Sequence, residues 1–183
     1  PARVDGPQID IHYLVVPAMA RNKRPDAVLL LAGGPGQSAI SVAPTVLPGL
    51  ARLNNHRDLV FIDQRGTGKS APLQCPDDKN LPLKDVLDSQ RQAERLRTCM
   101  TALQKLPHGD LRQYTTVIAM QDIEAVRAHL GYTQWNLVGA SYGTRAALDY
   151  LRQFPTHVRR TVLDGVAPPD MVLPTSFSQD GQA

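Results

Sequence analysis

The sequence is short of cysteine, of long hydrophobic runs and of concentrated charge, and each shortage excludes something. Only Cys75 and Cys99 are present. They are 24 positions apart, a spacing that fits neither a zinc knuckle nor a redox C-x-x-C, so they read as one disulfide or two unrelated thiols. The longest obvious apolar stretch, residues 27–32, is far too short to span a bilayer. Lys and Arg number 20 against 17 Asp and Glu, a net charge of +3, and no run gathers them onto one segment. That argues against a nucleic-acid reader, which collects its basic charge on one face. The chain begins at Pro1 with no basic-then-apolar leader. This reads as a processed or engineered start and does not argue for the cytoplasm.

What is present fits one domain with a buried core. The 183 residues are 42% hydrophobic and 20% charged, so neither disorder nor a fibrous protein is expected. Fifteen Pro and 13 Gly sit largely between apolar runs and mark tight connections. Strands are expected at residues 8–16, 27–32, 58–63, 135–138 and 161–163, from alternation or short continuous apolar runs. Residues 40–53 are weakly helical and interrupted by Pro44 and Pro48. Residues 83–106 read as a long helix with Leu96, Cys99 or Met100, Leu103 and Leu106 on one side. Residues 116–130 form a helix capped by Thr115 or Thr116 and closed by Gly131; residues 142–154 form another, stopped by Pro155. Strands alternating with helices predict an α/β fold: a mostly parallel sheet flanked by helices, with chemistry at the C-terminal strand ends.

Three of those ends carry Gly-rich turns. Gly139-Ala140-Ser141-Tyr142-Gly143 matches G-x-S-x-G between a strand and a helix, the context of a nucleophile elbow. The turn is so sharp that only Gly fits on either side of it. It lifts the Ser141 hydroxyl above the sheet, and the dipole of the following helix favours a developing anion. Acyl transfer also needs backbone N–H donors for the oxyanion. Tyr142, just after the nucleophile, supplies one. Gly34 in Gly33-Gly34-Pro35-Gly36 is the candidate for the other, because Pro35 has no N–H. Gly34-x-Gly36-x-x-Ala39 also mimics a dinucleotide fingerprint, but the prolines spoil the helix it needs and no acidic strand end follows about 20 residues on. Residues 63–70, Asp-Gln-Arg-Gly-Thr-Gly-Lys-Ser, end like a P-loop, yet Asp63 stands where that pattern requires Gly. A turn holding Asp63 and Arg65 in charge-assisted hydrogen bonds fits better.

In this order and spacing the three motifs resemble the α/β-hydrolase fold. More narrowly, GGPG, DQRGTGKS, GASYGT and residues 162–166 are similar to the prolyl and tripeptidyl aminopeptidase family of serine exopeptidases. The resemblance covers roughly residues 8–169. It implies a serine hydrolase that releases short N-terminal peptides or residues without a cofactor or metal, acting on a peptide with a free N-terminus. It also implies a Cys75–Cys99 bridge and a periplasmic or secreted home. Residues 1–167 then form the N-terminal part of the core, and residues 168–183 start the connection to a cap and C-terminal half.

That family's acid and His follow the nucleophile at a distance, whereas this sequence ends 42 residues beyond Ser141. His157 is the only later histidine, and a helix of 12 steps at about 1.5 Å each carries it roughly 18 Å away. His12, His56, His108 and His129 are read as surface or structural, and Asp164, ending a strand on the site side, as a structural carboxylate. The chain therefore reads as the front portion of an enzyme, inactive alone, whose missing half, on the same or another chain, carries the acid and the base. The alternatives are a non-catalytic binding or assembly unit of the same origin, or an esterase of the same fold.

Overall fold

The computed structural model describes residues 6–75, 82 and 88–171. Among these residues five strands form one sheet: β1 (Tyr13–Val16), β2 (Ala27–Leu31), β3 (Leu59–Ile62), β4 (Trp135–Ala140) and β5 (Val158–Asp164), in the order β1-β3-β2-β4-β5. Only β1 is antiparallel; the other neighbours run parallel. Among the described residues four α-helices accompany them: α1 (Ala39–Asn54), α2 (Ser89–Leu103), α3 (Thr116–Leu130) and α4 (Tyr142–Gln153).

Every residue of β2 and β3 is buried, as expected for parallel strands covered on both faces. Alternate side chains feed two cores. Leu29, Leu31, Val60 and Ile62 pack with Met120 and Ile123 of α3 and Tyr150 of α4. Val28, Leu30, Leu59 and Phe61 pack against Ala39 and Ala43 of α1. The helix α3 keeps the predicted bounds because its ends are chemically specified: Thr115 Oγ1 accepts from Ile118 N–H, and Gly131 closes the helix in the left-handed region at φ 73°.

Three expectations are corrected. Pro44 and Pro48 do not interrupt α1. Both occupy exposed positions of the helix, where a ring without an N–H displaces no core packing. β5 begins at Val158, three residues earlier than expected, because Arg159 and Arg160 occupy exposed positions of a strand at the sheet's border. The helix α2 buries only Cys99; Leu96 is 60% and Met100 43% exposed. Its apolar spacing therefore does not mark a core face, and residues 83–87 of the expected helix lie outside the described residues. Cys75 and Cys99 are disulfide-bonded, with Cα atoms 5.4 Å apart. No described helix is long and apolar enough to cross a membrane.

Candidate active site

β4 ends at Ala140 and α4 starts at Tyr142, so Ser141 alone makes the turn. Its backbone sits at φ 53°, ψ −122°, and its side chain is exposed. Positive φ for a residue bearing a Cβ costs on the order of 1–3 kcal/mol, which the surroundings must hold in place. They do so closely. Ser141 N–H donates to the Asp164 carbonyl at 2.9 Å. Ser141 C=O accepts from Thr144 N–H at 2.9 Å and from the Thr144 hydroxyl at 2.6 Å. The flanking glycines leave no room for a side chain: a Cβ on Gly139 would stand 2.5 Å from the Gly143 carbonyl oxygen, and one on Gly143 would run into the Leu31 carbonyl.

The loop after β2 reaches the same place. A Cβ on Gly33 would lie 3.4 Å from Ser141 Cβ and 3.3 Å from the Ala140 carbonyl oxygen. Gly34 and Gly36 take φ of 105° and 102°, and the Gly34–Pro35 peptide is cis. Positive φ at both glycines folds this loop into a tight turn beside the serine. The two turns meet because β2 and β4 are adjacent and parallel, with Leu31 opposite Gly139.

The turn after β3 braces that loop. Asp63, only 2% exposed, accepts from the Ser38 hydroxyl at 2.6 Å, Ile40 N–H at 3.2 Å and Lys69 N–H at 3.2 Å. Its carboxylate thus ties the DQRGTGKS turn to the start of α1. Arg65 forks onto Asp122 with two 2.6 Å bonds and reaches Gln113 C=O at 3.0 Å. The expected charge-assisted bonds of both residues are therefore present.

The histidines lie elsewhere. His157 precedes Val158, which pairs with Trp135, whereas Ser141 follows Ala140, which pairs with Asp164. The length of β5 separates them, about 20 Å at roughly 3.3 Å per residue. His157 Nδ1 stands 3.0 Å from Glu124 Oε1. His12 is on the site's side, where its carbonyl accepts from Asp63 N–H. It lies in line with β1, three strand spacings from β4, about 14 Å. His56 leads into β3, and its carbonyl accepts from Arg24 N–H. The carbonyl of His108 accepts from the Tyr114 hydroxyl, and the His129 ring centroid lies 6.5 Å from that of Tyr13.

Of the carboxylates with displaced pKa values, exposed Asp110 is lowered to about 2 by the hydrogen bond from Arg112, and three others lie at the N-terminal ends of the strands. Burial pushes Asp58 up, but hydrogen bonds from Lys23, Ala18 N–H and the Tyr132 hydroxyl outweigh it and leave the acid below its ordinary 3.8. Asp26 is likewise raised by burial and lowered further by Asn136, Arg57 and Arg159. Glu124 follows the same pattern, through Arg127, Tyr150 and His157. These groups stabilise the end of the sheet away from Ser141.

Sequence reasoning missed Thr144 and Arg145. Thr144 is fully buried, and its hydroxyl also accepts from Ala167 N–H at 2.9 Å. Its spacing of three from Ser141 was the one available signal; nothing in the sequence marks Arg145.

A mostly parallel sheet with a strained serine turn at the end of β4 and a glycine loop at the end of β2 defines an α/β protein in which these two turns meet at the C-terminal strand ends. The family model described as alpha/beta hydrolase fold matches residues 26–182, and the chain belongs to that family. It is 30% identical over 182 residues to serine protease Hip1 of Mycobacterium tuberculosis (strain ATCC 25618 / H37Rv), covering 93% of this chain and 35% of Hip1. It is 32% identical over 160 residues to tripeptidyl aminopeptidase of Streptomyces coelicolor, covering 81% of this chain and 30% of that protein. Among solved structures, MGS-M2, an alpha/beta hydrolase enzyme from a deep-sea metagenome library, superposes with a TM-score of 0.56 at 17% identity, over 94% of this chain and 46% of its own. The chain thus spans about a third of the length of the two curated relatives.

Proposed function

We propose that the chain is the front portion of a serine hydrolase, an aminopeptidase that releases short N-terminal peptides through an acyl-enzyme. The observation that carries this is Ser141: exposed, held at positive φ and flanked by glycines whose replacement would strike backbone. Ser141 Oγ attacks the scissile carbonyl carbon and its proton passes to a histidine base. The C–N bond then breaks, and that proton leaves with the amine. Water hydrolyses the ester, giving the peptide acid and restoring the serine. Tyr142 and Gly34 N–H groups hold the oxyanion, a reading supported by the Gly33 backbone lying against Ser141. The acidic residue and the histidine come from polypeptide outside these 183 residues. The relatives' greater length supports this, as do exposed Val162 on β5 and exposed Val166 beyond it, at a sheet border open to further strands. An extracytoplasmic home is supported by the disulfide.

The test uses the complete protein that carries this chain and a tripeptidyl p-nitroanilide with a free or an acetylated amine. We expect cleavage of the free-amine substrate only, lost in Ser141→Ala. Equal cleavage of both removes the aminopeptidase assignment, and p-nitroaniline release by Ser141→Ala at the parent rate removes the nucleophile.

A further inference from the structure

The polypeptide leaving β5 doubles back over the start of α4, and one cation holds it there. Arg145, one turn beyond Ser141 on α4, donates from Nη2 to the carbonyl of Pro168 at 2.7 Å and to that of Met171 at 2.7 Å. Its Nε is buried without an acceptor, so the two carbonyls on Nη2 are the contacts that hold the guanidinium there. The two carbonyls belong to a turn in which Met171 N–H also bonds Pro168 C=O. Earlier in the same segment Ala167 N–H reaches the Thr144 hydroxyl, and Asp164 C=O receives Ser141 N–H. Residues 164–171 are therefore fastened at four points to residues 141–145. Gly165 follows closely: a Cβ there would lie 3.9 Å from Ser141 N. Val166, next along, is 52% exposed.

From this geometry we propose that Arg145 is a positioning residue: it fixes residues 168–171, the far part of a wall that begins at Gly165 beside Ser141, so that substrate meets a set surface. The inference rests on the hydrolase reading above. Arg145 does not touch the reacting atoms. Ser141 itself is held by Asp164 and Thr144, which Arg145 does not share. Loss of the clasp therefore frees residues 168–171, while Asp164 and Ala167 keep their bonds to Ser141 and Thr144 and the nucleophile is not loosened. A free wall weakens substrate binding, because each binding event must then order it, and leaves the chemical step alone.

The test compares the complete protein with Arg145→Met and Arg145→Lys, using two readouts. One is the rate of labelling by a small fluorophosphonate, which needs the nucleophile and little else. The other is KM and kcat for a tripeptidyl p-nitroanilide. We expect Arg145→Met to raise KM about tenfold or more, with kcat within threefold and labelling within twofold of the parent. Arg145→Lys, whose single ammonium satisfies the two carbonyls less completely, falls between. An unchanged KM in Arg145→Met overturns the proposal, as does a parallel loss of labelling and turnover, which would place Arg145 in support of the nucleophile itself. If Arg145→Met fails to fold, an unchanged KM in Arg145→Lys overturns it. A parent that takes no label overturns the hydrolase reading and this proposal together; a labelled parent with an indifferent Arg145 overturns this proposal alone.

Discussion

The Cα of Gly143 faces the carbonyl oxygen of Leu31, and a methyl group placed there has nowhere to go. This contact sets how closely α4 approaches β2, and so where the Ser141 turn stands relative to the glycine loop. The three atoms nearest such a Cβ, from the Leu31 and Ala32 carbonyls, are all backbone, so no side-chain rotation relieves the clash.

Gly143→Ala is therefore expected to destabilise the protein by about 2–3 kcal/mol, the upper range for overpacking. Urea unfolding of the variant against the parent measures this. A change within 0.5 kcal/mol, about that of an ordinary surface substitution, would mean that α4 is not seated against β2 as described.

The disulfide is expected to act locally as well as globally. Closing a loop of 24 residues is worth about 3 kcal/mol on the chain-entropy model. The helix α2 buries only Cys99, so it has little packing to hold it once the bridge is gone. Paired Cys75→Ser and Cys99→Ser substitutions should speed hydrogen exchange in Ser89–Leu103 well before the strands β2 and β3 respond. Uniform acceleration across sheet and helix would contradict this.

The packing of α2 also shows where reading the sequence succeeds and fails. The strands β2 and β3 are legible because parallel strands buried on both faces require unbroken apolar runs. The bounds of α3 are legible because Thr115 and Gly131 are local chemical signals. The serine turn is legible because no residue but glycine fits beside it. By contrast, the spacing of Leu96 and Met100 shows that one side of a helix is apolar but not whether anything covers it. Pro44 and Pro48 look like breaks because propensity ignores which side meets water. The clasp of Arg145 on Pro168 and Met171 is invisible in sequence, since it joins a helix to a loop 23 and 26 residues away.

Acid should weaken the fold through Asp26, Asp58 and Glu124. Each has a folded pKa below its ordinary value of 3.8 or 4.5. Such a group contributes stability above its unfolded pKa and loses it as the pH falls through the folded one. Their contribution is thus complete at pH 7 and is lost progressively below about pH 4.5. Asp58→Asn should lower the unfolding free energy at pH 7 and flatten its fall in acid, as read by urea titrations from pH 7 to pH 3. A variant whose acid dependence parallels the parent's would clear Asp58 of this role.

The central claim is that the hydroxyl at the β4–α4 turn is a nucleophile. The direct measurement is fluorophosphonate labelling of the complete protein, with the modified peptide located by mass spectrometry. The account predicts a single stoichiometric adduct on Ser141, absent in Ser141→Ala. Labelling that survives this substitution, or an adduct on another serine, would contradict it.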